Sequence, residues 1–166
     1  MNSSLVRAYV GLGSNLNNPG MQIRSALTAL DAIPGTCCVS VSSLYRSRPL
    51  GPAGQPDYLN AVAGIDTHLS AEELLQQLHL IEEQHGRVRA ERWGPRTLDL
   101  DLLLYGDQVM ADDHLTVPHP GLAERNFVLY PLHEIAPQLH IPGAGSLQGL
   151  LERCSSVGLQ TLTAAV

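Results

Sequence analysis

The chain has 166 residues, 44% of them hydrophobic, with 16 acidic and 10 basic side chains, a net charge of −6 and three cysteines. All ten basic residues are arginine, and the absence of lysine excludes a Walker A loop, a protein-kinase catalytic lysine and a Schiff-base lysine, each of which needs an ammonium on a flexible stem. An acidic chain also lacks the basic excess of a general nucleic-acid binder, and Cys37, Cys38 and Cys154 are too few and wrongly spaced for a disulfide framework or a metal clasp.

A chain of this length should bury roughly 70% of its unfolded surface around one core, so a single domain over residues 1–166 is expected. The apolar stretch around Leu5 to Leu12 is interrupted by Arg7 and is too short for a signal peptide. No window approaches the ~20 apolar residues of a membrane span. A soluble cytoplasmic protein is the expectation.

Leu5 to Leu12 reads as a strand, punctuated by Gly11, Gly13, Asn15, Asn17 and Asn18 before Pro19 opens a helix with Asn18 as its cap. Ile23, Ala26, Leu27, Leu30 and Ile33 keep helical spacing until Pro34-Gly35 stops it. Val39, Val41 and Tyr45 alternate with serines as a second strand, and Arg48 to Pro56 is a loop. Leu59, Ala61, Ala63 and Ile65 form one face of a third strand, with Tyr58 and Asn60 together on the other. Ser70 and Glu73 make a capping box for a second helix that ends at Gly86.

Thr97 to Tyr105 is a fourth strand, giving the order β-α-β-β-α-β. This is the ferredoxin-like split arrangement, an α+β fold with an antiparallel sheet. Gly106-Asp107 suits a hairpin turn into a short strand near Val109. Pro118-His119-Pro120, a helical stretch from Phe127 to Ile135 and a short helix capped by Ser146 follow. These additions could cover the sheet's other face, making three layers, α-β-α.

The strongest local signal is Thr97-Leu98-Asp99-Leu100-Asp101-Leu102. On a strand, Leu98, Leu100, Leu102 and Leu104 point one way and Asp99 and Asp101 the other, with β-carbons roughly 6 to 7 Å apart. Two carboxylates held together this way repel and resist desolvation unless a cation joins them. A divalent metal resolves the conflict, and magnesium with a polyphosphate suits such oxygen ligands. The competing reading is the exposed polar face of an edge strand. Arg87, Arg89, Arg92 and Arg96 lie just upstream and are able to fork onto phosphate oxygens. Taken alone the arginines could be a solvated loop, but beside the carboxylates they favour phosphoryl or diphosphoryl transfer.

Other signals are weaker. Gly11-Leu12-Gly13-Ser14-Asn15-Leu16 lacks the third glycine of a dinucleotide loop, so special turn angles are its expected role. With only seven aromatics in the chain, Tyr58 and Trp93 are either ordinary packing or faces for a planar heterocycle. His119, stiffened by two flanking prolines, is either a surface-loop histidine or a phosphate donor. Seven histidines include no His-x-x-x-His pair, so a zinc site is not expected.

The segment Arg92-Trp93-Gly94-Pro95-Arg96-Thr97-Leu98-Asp99-Leu100-Asp101-Leu102-Leu103 resembles the signature of the 6-hydroxymethyl-7,8-dihydropterin pyrophosphokinase family of folate biosynthesis. The resemblance extends to Gly11 to Leu16, Pro49-Leu50-Gly51-Pro52 with Gln55 to Ala61, and Leu115 to Pro120 with Arg125 and Phe127, nearly the whole chain. It implies transfer of the β,γ-diphosphate of ATP to the pterin hydroxymethyl oxygen, with release of AMP. It further implies two Mg2+ ions on Asp99 and Asp101, the pterin ring between Tyr58 and Phe127, and hydrogen bonds to the pterin edge from Asn60 and the loop Ser47, Arg48, Pro49 and Leu50. Arg87, Arg96, His119 and Arg125 match phosphate-binding positions, with Arg87 and Arg96 grouped with the two aspartates as catalytic. Arg89, Arg92 and Trp93 match a closing loop, and Glu82 and Leu102 match positions on the nucleotide side.

The loop from Arg87 to Trp93 is one residue shorter than in some members and lacks their lysine. Arg48 stands where a small residue or proline is frequent, and His79 and His114 replace other residue types on the nucleotide side. Two rival readings follow from the residues: a two-metal nuclease or nucleotidyl transferase, which the acidic composition disfavours, and a ferredoxin-like ligand-sensing module, which needs no metal pair. The expected partners are ATP and the pterin alone, without nucleic acid or membrane, and the expected state is a monomer.

Overall fold

In the computed structural model, residues 4–48, 54–86 and 97–164 are described. Pro49, Leu50, Arg87, Arg89, Arg92, Trp93 and Arg96 lie outside them.

Strand β1, Val6–Ser14, is apolar on both faces and runs through the middle of a sheet. Helix α1, Pro19–Asp31, follows it and buries Ile23, Ala26, Leu27 and Leu30, the i, i+3, i+4, i+7 stripe. Asn18 holds the cap position but does not cap through its side chain. It adopts a left-handed conformation, and its carbonyl accepts from Met21 and Gln22 instead. Asn17 and Asn18, with φ of 52° and 63°, take the left-handed angles expected of the glycines upstream.

The expected second strand is two, β2, Thr36–Val41, and β3, Ser43–Ser47, both paired antiparallel to β4, Tyr58–Thr67. Ser42 breaks them apart, and its hydroxyl accepts from Val62 N–H at 2.9 Å, so the ladder loses no partner at the break. Alternation of residue types cannot register such an interruption, because Ser42 continues the same polar rhythm. Gly64 on β4 is there for closeness: a β-carbon on it would lie 2.4 Å from Ser40 Oγ.

Helix α2, Ala71–Gln84, begins with the expected reciprocal capping box of Ser70 and Glu73 and closes at His85, with Gly86 beyond it at φ 75°. Strand β5, Asp99–Tyr105, lies at the sheet edge against β1, and the order inward from it is β5-β1-β4-β3, with β2 also paired to β4. The register of β1 and β5 slips between Tyr9↔Leu104 and Val10↔Leu102, leaving Leu103 as an extra residue. This bulge overturns one expectation. Leu98, Leu100 and Leu102 share a core with α1 and α2, but Leu104 crosses to the opposite core and Tyr105 takes its place.

After a turn at Gly106-Asp107, β6, Met110–Ala111, pairs with β7, Thr116–Val117, rather than continuing a hairpin with β5. Helix α3, Asn126–Ile135, comes next, followed by the small hairpin of β8, His140–Ile141, and β9, Gly145–Ser146. Helix α4, Leu147–Glu152, has the expected cap, Ser146 Oγ accepting from Gly149 N–H. Strand β10, Gln160–Ala164, returns to pair with β3 and had no distinct signal in the sequence.

Two cores occupy the two faces of the sheet. One gathers Val10, Ile65, Leu100 and Leu102 with α1 and α2; the other gathers Tyr9, Val62, Leu103 and Leu104 with Leu129 and Leu132 of α3 and Leu147 and Leu150 of α4. Glu134 pins α3 to β3: Oε2 accepts from Ser43 N–H at 2.9 Å and Ser43 Oγ at 3.0 Å, and Oε1 accepts from Tyr45 OH. Burial, reinforced by Glu134, pushes the Tyr45 phenol above its ordinary range. Glu134→Ala should therefore destabilise by about 1 kcal/mol, the low end for a partly solvated acceptor. The check is urea unfolding, where the midpoint should fall at constant m-value.

Candidate active site

Register places the site. On the face covered by α3 and α4, β1 presents Tyr9, Gly11 and Gly13, β4 presents Val62, Asn60 and Tyr58, and β5 presents Leu103, Asp101 and Asp99. Tyr9, Val62 and Leu103 are buried in the core beneath the helices. The remaining six continue past it as a strip. Its central row runs across four strands, Tyr45↔Asn60↔Gly13↔Asp99, with Gly11 opposite Asp101 in the next.

Gly11 and Gly13 therefore do not have the turn role their pattern suggested. They lie inside β1, and neither has a positive φ. They place no side chain on β1 between Asn60 and the aspartates, and both glycines are themselves buried. A β-carbon at Gly13 would stand 3.5 Å from Asn60 Oδ1 and 3.6 Å from Tyr58 Cδ1. The residues that follow fasten the end of the strand: Ser14 Oγ donates to Thr97 O just before β5, and Asn15 Nδ2 donates to Pro56 O at 3.0 Å just before β4. Sequence reasoning gave Ser14 and Asn15 no role, although polar residues directly after an apolar strand were the available signal.

Asn60 is 5% exposed and its amide is oriented by its partners. Nδ2 donates to Ser47 Oγ at 2.7 Å and to Tyr45 O at 3.2 Å, and since a carbonyl can only accept, Oδ1 must be the atom turned toward Gly13. Ser47, also buried, thus supports Asn60. Asp99 and Asp101 are half-buried on β5. Between them the outward Leu100 N–H donates to Glu82 Oε2 at 2.9 Å, so the buried Glu82 of α2 closes the sheet edge beside the carboxylates.

A cleft of about 310 Å3 opens at that edge, bounded by Glu82, Leu102, His114, His119 and Asp101. Leu102 is 3% exposed and offers it only an apolar wall. His119 is held twice: its N–H donates to Leu103 O, the bulge residue, and its Nδ1 accepts from Gly121 N–H at 3.1 Å. The neutral ring therefore carries its proton on Nε2, 3.9 Å from Asp101 Oδ1. Burial lowers the His119 pKa, Asp101 opposes this and Arg125 reinforces it.

Arg125 immediately precedes α3, and its guanidinium carbon lies 5.8 Å from the centre of the Phe127 ring. Gly121 makes this passage possible, since a β-carbon there would fall 2.6 Å from Arg125 Nε. Phe127 and Arg48 line a second cleft, of about 370 Å3, together with Ser47. Asp99, Asp101, Asn60, Tyr58 and Ser47 thus come together along one sheet face, and Glu82, Leu102 and His119 gather at its edge. Among the described residues, no three His, Cys, Asp or Glu side chains form a metal-binding group, and no helix is long and apolar enough to cross a membrane.

Residues 9–137 match the family model described as 7,8-dihydro-6-hydroxymethylpterin-pyrophosphokinase (HPPK). The chain belongs to this family. It is 50% identical over 159 residues to the 2-amino-4-hydroxy-6-hydroxymethyldihydropteridine pyrophosphokinase of Pseudomonas aeruginosa, covering 96% of this chain and 98% of that one. The enzyme of the same name from Haemophilus influenzae is 48% identical over 149 residues, covering 90% and 93%. In structure, the Plasmodium falciparum HPPK-DHPS crystallised with pteroate superposes with a TM-score of 0.71 at 11% identity, over 90% of this chain and 44% of that one. That likeness concerns the fold. The site strip of this HPPK-family chain lies within the matched residues, whereas Cys154, Ser155, Val157 and Gly158, which also line the second cleft, lie beyond them.

Proposed function

We propose that the chain transfers the β,γ-diphosphate of ATP to the hydroxymethyl oxygen of 6-hydroxymethyl-7,8-dihydropterin, releasing AMP. The hydroxymethyl oxygen forms a bond to the β-phosphorus, the bond from that phosphorus to the α-phosphate oxygen breaks, and the hydroxyl proton leaves to solvent. The observation that carries this reading is the row Asn60↔Gly13↔Asp99, in which an oriented amide and a carboxylate flank a strip without side chains.

On this reading Asn60 Oδ1 accepts from the amino edge of the pterin, and Tyr58 and Phe127 supply aromatic faces. The edge cleft beside Leu102, Glu82 and His119 takes the nucleotide, where His119 Nε2–H can donate to a phosphate oxygen. Asp99 and Asp101 fit magnesium better than zinc, because they offer two hard oxygen donors and, among the described residues, no nitrogen or sulfur cage forms with them, leaving the remaining positions to phosphate and water. Two Mg2+ ions there would neutralise phosphate charge and polarise the accepting oxygen. Arg87 and Arg96 as catalytic cations, and Arg89, Arg92 and Trp93 as a closing loop, rest on the family resemblance, as do Pro49 and Leu50. Arg125, which stands over the Phe127 ring and whose charge lowers the His119 pKa, would also serve the phosphates.

We read the core as the ferredoxin-like split arrangement with helices on both faces, β2 and β3 together standing for its second strand. A single domain, a monomer and a cytoplasmic location complete the proposal. The test is mass spectrometry of products from ATP, Mg2+ and the pterin. AMP with a pterin diphosphate is expected, and ADP with a pterin monophosphate would overturn the reaction.

A further inference from the structure

Asn126, the first residue of α3, stands directly before Phe127. Its Nδ2 donates to Ser155 O at 2.9 Å and to Val157 O at 3.1 Å, so both amide hydrogens reach one distant loop. One helical turn later, Tyr130 OH donates to Cys154 O at 3.2 Å. The loop is also tied internally, Val157 N–H to Ser155 Oγ at 3.1 Å and Leu159 N–H to Ser156 O at 3.0 Å. It then runs into β10, which pairs Gln160↔Arg46 and Thr161↔Tyr45 on the strand that ends at Ser47.

The loop therefore links the helix that carries Phe127 to the strand that carries Ser47. The second cleft lies between them, with Ser47, Arg48 and Phe127 facing Ser155, Val157 and Gly158. A β-carbon at Gly158, where φ is 81°, would lie 3.8 Å from Arg48 Cδ, so the loop approaches the start of the Arg48 segment closely. Val157 is 79% exposed, an apolar side chain held at the cleft by hydrogen bonds to its own backbone on both sides.

We infer that Asn126 is a positioning residue for the pterin site, and that the Cys154–Gly158 loop it holds is a wall of that site. The inference rests on the assignment of Phe127 and Ser47 to the pterin. Asn126 fixes the backbone from which Phe127 projects, and a displacement of about 1 Å in a positioning group is enough to cost orders of magnitude in rate.

Steady-state kinetics on the full chain test this with Asn126→Asp, which keeps the shape and removes both donors, and Val157→Gly, which removes an exposed side chain and endangers no core. Phe127→Ala and wild type are run beside them. The pterin KM should rise about tenfold in Asn126→Asp and about threefold in Val157→Gly, with the ATP KM within twofold of wild type. If both variants keep the wild-type pterin KM while Phe127→Ala raises it, the inference is wrong. Parallel rises in both KM values with a lowered Tm would make Asn126 merely structural, which also overturns it. Should Asn126→Asp fail to fold, Val157→Gly alone decides. An unchanged pterin KM in Phe127→Ala would instead refute the assignment of the pterin site.

Discussion

Replacing Asp99 or Asp101 by alanine is expected to lower kcat by about 10³-fold or more, at the upper end of what one electrostatic group in a transfer site contributes, while the fold survives. The two carboxylates share a strand face with no third acidic, histidine or cysteine ligand completing a metal group among the described residues. The two aspartates are the carboxylates that share the strand face, and diphosphoryl transfer depends on charge neutralisation more than on a covalent nucleophile. Stability should respond differently. The Asp101 side chain is 47% exposed, so the Tm of the Asp101 variants should hold within a few degrees. Asp→Asn variants sharpen the test, because they preserve shape and lose only charge. Near-wild-type turnover in Asp101→Asn would show that the charge is not what the reaction uses.

Gly13→Ala should separate folding from activity. The new β-carbon would meet Asn60 Oδ1 and Tyr58 Cδ1 at 3.5 and 3.6 Å, ordinary van der Waals distances, and Gly13 has no positive φ to forbid a side chain. Stability is expected to stay level or rise by up to about 1 kcal/mol, since alanine restricts the unfolded chain. The methyl group would nevertheless stand on the floor between Asn60 and Asp99 and lift a flat ring from it. We expect kcat/KM for the pterin to fall about 10²-fold, the scale of a 1 Å misplacement, with the ATP KM nearly unchanged. Gly11→Ala is the internal comparison: the three atoms nearest its β-carbon would all belong to the Leu103 side chain, from 3.5 Å. If Gly13→Ala bound and turned over pterin normally, the strip without side chains would not be the substrate floor.

Much of the architecture was legible because it follows from local periodicity. The helical stripe of α1, the Ser70–Glu73 box, the Ser146 cap and the shared face of Tyr58 and Asn60 all need information from only a few neighbouring residues. The misreadings share one cause. Ser42 continued an alternation that the backbone interrupts, and Leu104 kept a period of two that the bulge at Leu103 shifts by one. In both cases a partner strand decided the outcome. The same holds for β6, which could pair with either neighbour by pattern and pairs with β7.

By itself the sequence determined the helices α1 to α4 and the strands β1, β4 and β5, the pairing of Asp99 with Asp101 on one strand face, and the family signature, because side-chain alternation and motif spacing are properties of a continuous segment. Only the tertiary structure decided what Gly11 and Gly13 are for, since a missing side chain acquires meaning from Asn60 and Asp99, which stand beside it from other strands. It also decided that Glu82 closes the edge of β5, and that a loop at residues 154–158 faces Phe127. Those relations are set by sheet register and by hydrogen bonds between segments far apart in the chain, which no local pattern encodes.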